Sequence, residues 1–208
     1  MAAAIGTMPG PGDGYPVQVT FDTNQPINRL WGIPILGYAL RWIVLIPSFI
    51  VLTIASIGIA FSLLVSWLMI LLLGKNPFAG FYLWFMAFAA QVAAYAFFLA
   101  APMAPILGPS PTYPVQVTMP TDASINRLWG IPWLGFLVRG FLIIPHAVLA
   151  FLIGIVAYVF AFVLWIPILL NGRAPTLAYT IFGGLIRLQA RVYAWYLMCP
   201  VPYPPLSI

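Results

Sequence analysis

Apolar residues dominate the chain, and short polar stretches divide it into two long and two shorter apolar segments. Residues 43–73 carry no charged side chain over 31 positions. As one helix at about 1.5 Å per residue, this segment would extend about 46 Å. Two complete spans need about 40 residues, so the segment predicts a single long helix that is tilted and is kinked or begins near Pro47. Residues 141–171 form a second such segment, with Ile-Pro at 144–145 matching Ile-Pro at 46–47.

Each long segment ends in a turn and is followed by a shorter apolar segment that returns across the membrane. The turns read Gly-Lys-Asn-Pro at 74–77 and Gly-Arg-Ala-Pro at 172–175. Glycine ends a helix, the cation faces its negative end and proline prevents continuation. The return spans are predicted at 78–101 and 176–199, which gives four transmembrane helices.

A short strand is predicted before each long segment. Tyr15–Thr20 alternates, with Val17 and Val19 on one face and Gln18 and Thr20 on the other, and the same six letters recur at 113–118. A lone strand in lipid would leave backbone groups unpaired, so both copies should lie outside the membrane and pair with each other.

An interfacial segment, 27–42, separates the first strand from the long helix. Arg29 and Arg41 bracket only 11 residues, too few to span, and Gly32 and Pro34 interrupt any helix there. Arginine and tryptophan side chains favour the headgroup region of a bilayer. The predicted interfacial anchors are Arg29, Trp31, Arg41, Arg127, Trp129 and Arg139.

These features repeat because the chain is a tandem duplication. Shifting the sequence by 98 positions aligns 15–108 with 113–206 without a gap, with roughly a third of the positions identical. The predicted domains are a flexible N-terminus at 1–14, repeats at 15–101 and 113–199, a proline-rich linker at 102–112 and a proline-rich tail at 200–208. The fold class is all-α integral membrane, with four transmembrane helices as two parallel two-helix repeats, each preceded by an extramembrane strand and an interfacial segment.

Parallel repeats require a pseudo-two-fold axis along the membrane normal, which would run the two strands antiparallel. In this arrangement Lys75 and Arg173 lie on the turn side of the membrane and the predicted arginine anchors on the strand side. Four basic residues against two favour cytoplasmic strands and termini.

Composition supports a membrane protein. The chain is 63% hydrophobic and 5% charged, with no Glu and a net charge of +5, whereas soluble domains are roughly 25% charged. The basic residues are scattered and flank apolar segments, which indicates contact with anionic lipid headgroups rather than with nucleic acid.

The second copy resembles a bacterial membrane family catalogued as domain of unknown function 4389. The resemblance lies in Tyr-Pro-Val at 113–115, Asn-Arg-Leu at 126–128, Ile-Pro-His at 144–146, Asn-Gly-Arg at 171–173 and the arginines of 186–192. It covers 15–206 as two copies and implies an integral protein of a bacterial cytoplasmic membrane, without implying an activity. The first copy departs from it at Ser48, Ala89 and Ala93.

Four polar side chains within the return spans form the candidate site. Arg187 and Arg191 lie one helical turn apart, on one face, and an arginine at the bilayer centre costs about 2.5–3.5 kcal/mol on insertion scales. They predict a site for an anion, namely a lipid phosphate, a substrate or a partner's carboxylate; the alternative is an offset helix from which both side chains reach an interface. Gln91 and Gln189, at equivalent positions, are either part of that site or ordinary packing contacts.

His146 follows a proline at a helix start and is a weak candidate ligand for a haem or pigment, against an ordinary interfacial histidine. Neither a Cys/His cluster for metal nor a phosphate-binding glycine loop is present in the sequence. With Glu absent and the three Asp confined to the amino-terminal parts of the copies, we expect no enzyme.

Three functions are consistent with this pattern. The first is a non-catalytic accessory or scaffold subunit that packs against lipids, anionic ones included, and other membrane proteins. The second is a small transporter or lipid-handling protein with the anion site in its last helix. The third is a pigment- or haem-associated subunit.

Overall fold

The computed structural model describes residues 7–8, 14–131 and 134–206. The flexible N-terminus predicted at 1–14 therefore lies almost entirely outside the described residues, as do the last two residues of the predicted tail.

A small antiparallel sheet is formed by β1 (Thr7–Met8), β2 (Gln18–Asp22) and β3 (Val115–Thr118), in that order. β2 and β3 pair with Val19 opposite Val117, so the predicted antiparallel pairing of the two Tyr-Pro-Val-Gln-Val-Thr copies is confirmed. Successive side chains of each strand point to opposite faces of the sheet. Val19 and Phe21 are buried on the inner face, while Thr20 and Thr118 on the outer face stay accessible to solvent.

The helical elements follow the apolar segments. They are a 3₁₀ turn at Arg29–Gly32, α1 (Leu36–Leu73), α2 (Ala79–Ala96), a 3₁₀ turn at Arg127–Gly130, α3 (Leu134–Leu142), α4 (Ile144–Asn171), α5 (Thr176–Ala178), a π-helical turn at Tyr179–Gly183 and α6 (Gly184–Tyr196).

Both long helices end as predicted. Gly74 and Gly172 follow α1 and α4 in the left-handed conformation, with φ of 66° and 64°, and their N–H groups donate to carbonyls of the last helical turn. α1 continues through Pro47, whereas in the second copy Pro145 occupies the first turn of α4, where its missing N–H costs no hydrogen bond. A single long helix over 43–73 is confirmed, but it begins at Leu36, so a start near Pro47 is wrong and the end of the predicted interfacial segment belongs to α1.

Three helices are long and apolar enough to cross a membrane, namely α1, α2 and α4. The fourth predicted span, 176–199, is not such a helix. The π-helical turn separates α5 from α6, and α6 carries Arg187 and Arg191. The described part of the chain therefore contains three helices of this kind where four were predicted.

The sheet and two of the helices form the buried part of the molecule. The inner face of β2 and β3 packs on α2 and α6, which contact each other, while α1 flanks α2 and α4 flanks α6. In their most apolar stretches, 61% of α2 is buried, against 22% of α1 and 11% of α4. The two longest helices therefore present most of their apolar surface to the outside.

Each copy's interfacial segment packs on the end of the other copy's long helix. Gly32, before α1, lies against Leu169 near the end of α4, and Gly130 lies against Leu71 near the end of α1. The start of α1 is thus beside the end of α4. We predicted that both long helices run the same way, from a strand side to a turn side, and this is wrong.

The turns lie beside the segments that follow the strands. The Ile27 N–H donates to the Gly172 carbonyl, and the Ile125 N–H donates to the Gly74 carbonyl, both at 2.8 Å. The predicted separation of Lys75 and Arg173 from the strands is therefore also wrong. These contacts join residues distant in sequence, so no pattern along the chain indicates them.

Candidate functional site

A buried arginine in each copy is enclosed by aromatic rings. Arg41, in the first turns of α1, is fully buried, and its guanidinium carbon lies 4.1 Å from the centroid of Phe98, 4.3 Å from that of Tyr95 and 5.1 Å from that of Trp31. Its Nη1 donates to the carbonyls of Tyr95 and Ala100. Ring faces and carbonyl oxygens thus surround the cation in place of a carboxylate.

Arg139 on α3 is in the equivalent position. Its guanidinium carbon lies 4.7 Å from the Trp129 ring and 4.8 Å from the Trp195 ring, and its Nη1 donates to the Trp195 carbonyl. Burial favours the uncharged form and lowers the pKa of Arg139 to about 10, partly offset by Cys199 and Tyr15. The group is still a cation at neutral pH.

A cavity of about 600 Å³ opens beside Arg139. It is lined by Trp129, Trp195, Cys199 and Tyr203, together with other residues that follow β3 and residues of the tail. Burial raises the pKa of the Cys199 thiol to about 12, although Arg139 acts in the opposite direction. The cavity therefore offers a cation, aromatic faces and a protonated thiol.

The predicted anchors fall into three groups. Arg29 and Arg127 are exposed, Trp31 and Trp129 are half-buried, and Arg41 and Arg139 are buried. The last two point into the protein, so the expectation that they extend to the headgroup region is wrong for them. They lie on the first helical turns, whose inner faces pack against the ends of α2 and α6.

The predicted anion site is divided, because the two arginines lie together beneath β2 while the two glutamines lie elsewhere. Arg187 and Arg191 are buried beneath β2, where Arg187 Nε donates to the Val19 carbonyl at 3.4 Å and the two guanidinium groups lie over the rings of Phe21 and Tyr15. Neither therefore reaches the outer surface of the protein. Their role as a lipid or anion site stays a prediction.

The two equivalent glutamines differ in their surroundings. Gln91 is fully buried: its Nε2 donates to the carbonyls of Ser110 and Val115 at 2.9 and 3.0 Å, and its Oε1 accepts from the Ser110 N–H at 2.8 Å. Gln189 is exposed and lines a shallow cleft between α2 and α6. Gln91 thus fastens the linker and β3 to α2, which is a structural role.

His146 is held by the tail. The ring is buried, with Nε2 2.9 Å from the Pro204 carbonyl and Nδ1 3.3 Å from the Tyr203 hydroxyl. Ser48, the equivalent residue, donates in a similar way to the Pro105 carbonyl at 3.0 Å. Both ring nitrogens of His146 therefore face protein groups, and within the described residues no three His, Cys, Asp or Glu side chains gather as a metal site.

Sequence reasoning missed a polar network in the first copy. The Tyr82 hydroxyl lies 2.9 Å from both the Ser62 and the Ser66 hydroxyls, and Ser66 also reaches the Asn76 side chain. Asn76 Nδ2 donates to the carbonyls of residues 197 and 198 at 3.1 Å. In the sequence, this network is indicated by the spacing of Ser62 and Ser66, which lie one helical turn apart in an apolar helix.

Two apolar clefts occupy equivalent places on the outer surface. One, of about 530 Å³, lies between the start of α1 and α4 beside Trp165, and the other, of about 360 Å³, lies between α1 and α3 beside Trp67. Tyr38 and Phe136, 98 positions apart, line the two clefts. In the first cleft, the Tyr38 hydroxyl donates to the Ala161 carbonyl at 2.8 Å and so joins α1 to α4.

Comparison with protein-family models, with curated proteins and with solved structures gives no match for this chain. The fold and the arrangement of these polar groups are therefore the basis for any functional assignment.

Proposed function

We propose that this chain is a non-catalytic integral membrane protein that acts as an accessory or scaffold component and packs against lipids and other membrane subunits. The observation that carries the proposal is the outward-facing apolar surface of α1 and α4. A row of large apolar side chains along α1 is exposed, among them Ile46, Ile50, Ile54, Phe61 and Leu64. Exposed continuous apolar surface of this extent is unfavourable in water and is typical of contact with lipid.

The polar interior supports a structural role. Arg41, Arg139, Gln91 and His146 each face backbone carbonyl groups of neighbouring segments. Groups engaged in this way stabilise the fold and are not positioned to transfer protons. The resemblance to a bacterial membrane family supports a location in a bacterial cytoplasmic membrane.

Extraction of membranes from expressing cells at alkaline pH tests the membrane assignment. An integral protein stays in the pellet in sodium carbonate, and release into the supernatant would overturn the proposal. Purification in a mild detergent after cross-linking in the membrane tests the accessory role. We expect a defined complex with one or more membrane proteins, whereas a chain recovered alone and uncross-linked would contradict that role.

Lipid handling is a second candidate function, favoured by the two apolar clefts beside Trp67 and Trp165. Each is large enough to accept part of an acyl chain. Narrowing the larger cleft with Ala161→Phe should reduce the amount of lipid that co-purifies with the protein. Unchanged lipid content would argue against this function.

A further inference from the structure

The pairing of β2 with β3 defines a local two-fold axis between the two strands. Val19 pairs with Val117, and Gln18 and Thr20 pair with Thr118 and Gln116. A shift of 98 positions relates Gln18 to Gln116 and Thr20 to Thr118, so it exchanges these two pairs. The pairing is therefore symmetric about the Val19–Val117 pair. The two-fold that relates antiparallel strands with a common inner face is perpendicular to their sheet.

Reciprocal contacts show how the long helices lie relative to this axis. A two-fold rotation keeps a residue and its equivalent at the same height along the axis, so Gly32 and Gly130 share one height. Gly130 lies against Leu71, and Gly32 lies against Leu169. Leu71, near the end of α1, is therefore level with Gly32, which precedes α1, and both ends of α1 lie at one height.

The helix α6, which is buried beneath the sheet, also runs across the two-fold axis rather than along it. The rings of Phe21 and Tyr15 lie over Arg187 and Arg191, one helical turn apart on α6. Successive turns of α6 thus pass under successive parts of the β2 segment. The helix runs along the sheet rather than away from it.

The outer face of the sheet fixes the axis relative to the bilayer. If the axis lay in the membrane plane, the sheet would be centred at the bilayer midplane, with Gln18, Thr20 and Thr118 on its outer face in hydrocarbon. Polar groups and sheet edges at that depth are strongly unfavourable. The axis must then run along the membrane normal, with the outer face of the sheet toward water.

From this geometry, and resting on the proposed membrane location, we propose that α1 and α4 enter and leave the bilayer on the same side, which is the side of the sheet. On that side, two pairs of basic residues bind anionic lipid headgroups. The long helices lie within one leaflet or arch into the bilayer without crossing it. At about 57 Å for 38 residues, α1 is nearly twice the thickness of the hydrocarbon core, which suits this arrangement better than a perpendicular span.

The basic pairs are formed between the copies at the ends of the long helices. The Arg29 side chain packs against Gly172, directly before Arg173, and the Arg127 side chain packs against Gly74, directly before Lys75. All four basic residues are exposed. Two cations at each helix end, level with the border of the apolar surface, complement the phosphates of an anionic monolayer.

Sided labelling tests the arrangement. Lys75→Cys and Arg173→Cys mark the turns, and Thr118→Cys and Asp122→Cys mark the strand side, each in a Cys199→Ala background. Right-side-out and inverted vesicles from expressing cells are treated with a membrane-impermeant maleimide. We expect all four positions to be labelled in the same vesicle type, the inverted one, because exposed basic residues favour the cytoplasmic face.

Labelling of the turns and of the strand side in opposite vesicle types would overturn the proposal. That result would leave the chain an integral membrane protein, so it is distinct from failure of the proposed function, which release by carbonate would reveal. All four positions are exposed, and elution from gel filtration as in the parent protein identifies variants that have folded.

The headgroup contact is tested with phosphatidylglycerol as the probe. Native mass spectrometry of the purified protein should show bound phosphatidylglycerol in preference to phosphatidylcholine, reduced at least severalfold in Arg29→Gln/Arg173→Gln. Arg29→Lys/Arg173→Lys, which keeps both positive charges at the same positions, is the matched control. Equal binding by the double variant and the control would overturn the headgroup assignment.

Discussion

At the scale of single residues, buried cations in this chain are stabilised by aromatic rings and backbone carbonyls. Arg41 and Arg139 show this most clearly, since each donates to the carbonyl of an aromatic residue and lies against two or more rings. A chain with three Asp and no Glu has few carboxylates to pair with its basic side chains. Burying a cation without compensation costs several kcal/mol, so the rings and carbonyls are required where the sequence buries an arginine.

Cys199 should be unreactive while the protein is folded. Burial raises its pKa to about 12 from an ordinary value near 9.0, so the native state holds the thiol proton more tightly than the unfolded state. At pH 9 we expect alkylation by iodoacetamide to be at least ~100-fold slower in the folded protein than in denaturant. Mass spectrometry of the single cysteine measures both rates, and equal rates would contradict the burial of the thiol.

The same shift makes stability depend on pH. Above pH 9 the unfolded chain releases the thiol proton and the folded protein does not, so the free energy of unfolding falls as the pH rises from about 9 toward 12. Cys199→Ser should remove this part of the alkaline dependence. A variant whose unfolding midpoint keeps the parent's dependence over that range would show that other groups account for it.

Gln91 and Gln189 provide a matched pair for testing what a buried amide contributes. Gln91→Leu removes the acceptor of the Ser110 N–H and one donor to each of the Ser110 and Val115 carbonyls, and should lower the free energy of unfolding by about 3 kcal/mol. Gln189→Leu changes an exposed side chain and should shift it by less than about 0.5 kcal/mol. Thermal unfolding in mild detergent compares the two, and similar shifts would refute the assignment.

At the scale of elements, two glycines allow the contacts between the copies. A Cβ on Gly130 would lie 2.4 Å from the Leu71 nitrogen and 2.6 Å from the Trp67 oxygen, both backbone atoms that cannot move aside. Gly130→Ala should therefore destabilise the protein by about 2–3 kcal/mol, through overpacking. Gly32→Ala should act in the same direction, since its Cβ would lie 2.6 Å from the Leu169 nitrogen.

Gly154 serves as the control for these substitutions. It lies within α4 with no atom within 4 Å of its Cβ position, so Gly154→Ala should leave the unfolding midpoint unchanged or raise it by the helix propensity of alanine, up to ~1 kcal/mol. The comparison uses the same unfolding assay. Equal effects of Gly130→Ala and Gly154→Ala on the unfolding midpoint would mean that the 3₁₀ turn that ends at Gly130 is not in close contact with α1.

Local patterns were sufficient to predict most of the elements. Alternation in Tyr15–Thr20 predicted β2, charge-free length predicted α1, and glycine before a basic residue predicted the ends at Gly74 and Gly172. The helix predicted at 176–199 was harder to predict correctly, because a π-helical turn inserts one residue without any change in composition. The placement of Arg187 and Arg191 beneath β2 depends on contacts 168 residues apart, as between Arg187 and Val19, and these leave no local trace.

At the scale of the whole molecule, the exchange of contacts between copies determines the architecture. Hydrogen bonds from Ile27 to Gly172 and from Ile125 to Gly74 bring each turn to the other copy's interfacial segment. If each copy is considered alone, its pair of helices predicts that the turn between them lies far from the strand that precedes them. The pairing of β2 with β3, together with these crossed contacts, places each turn beside the segment that follows the other copy's strand.

Cross-linking distinguishes the crossed arrangement from independent hairpins. In a Cys199→Ala background, Arg29→Cys with Arg173→Cys, and Lys75→Cys with Arg127→Cys, should be joined by a short bis-maleimide, because each pair flanks a contact between the copies. Arg29→Cys with Lys75→Cys is the control: α1 separates these positions by about 57 Å. Mass spectrometry of the digested protein identifies the joined peptides. Absence of the cross-link from both test pairs would show that each long helix ends away from the other copy. A cross-link in the control at the yield of the test pairs would show that the joined peptides do not reflect proximity within one chain, and would withdraw the support for the crossed arrangement.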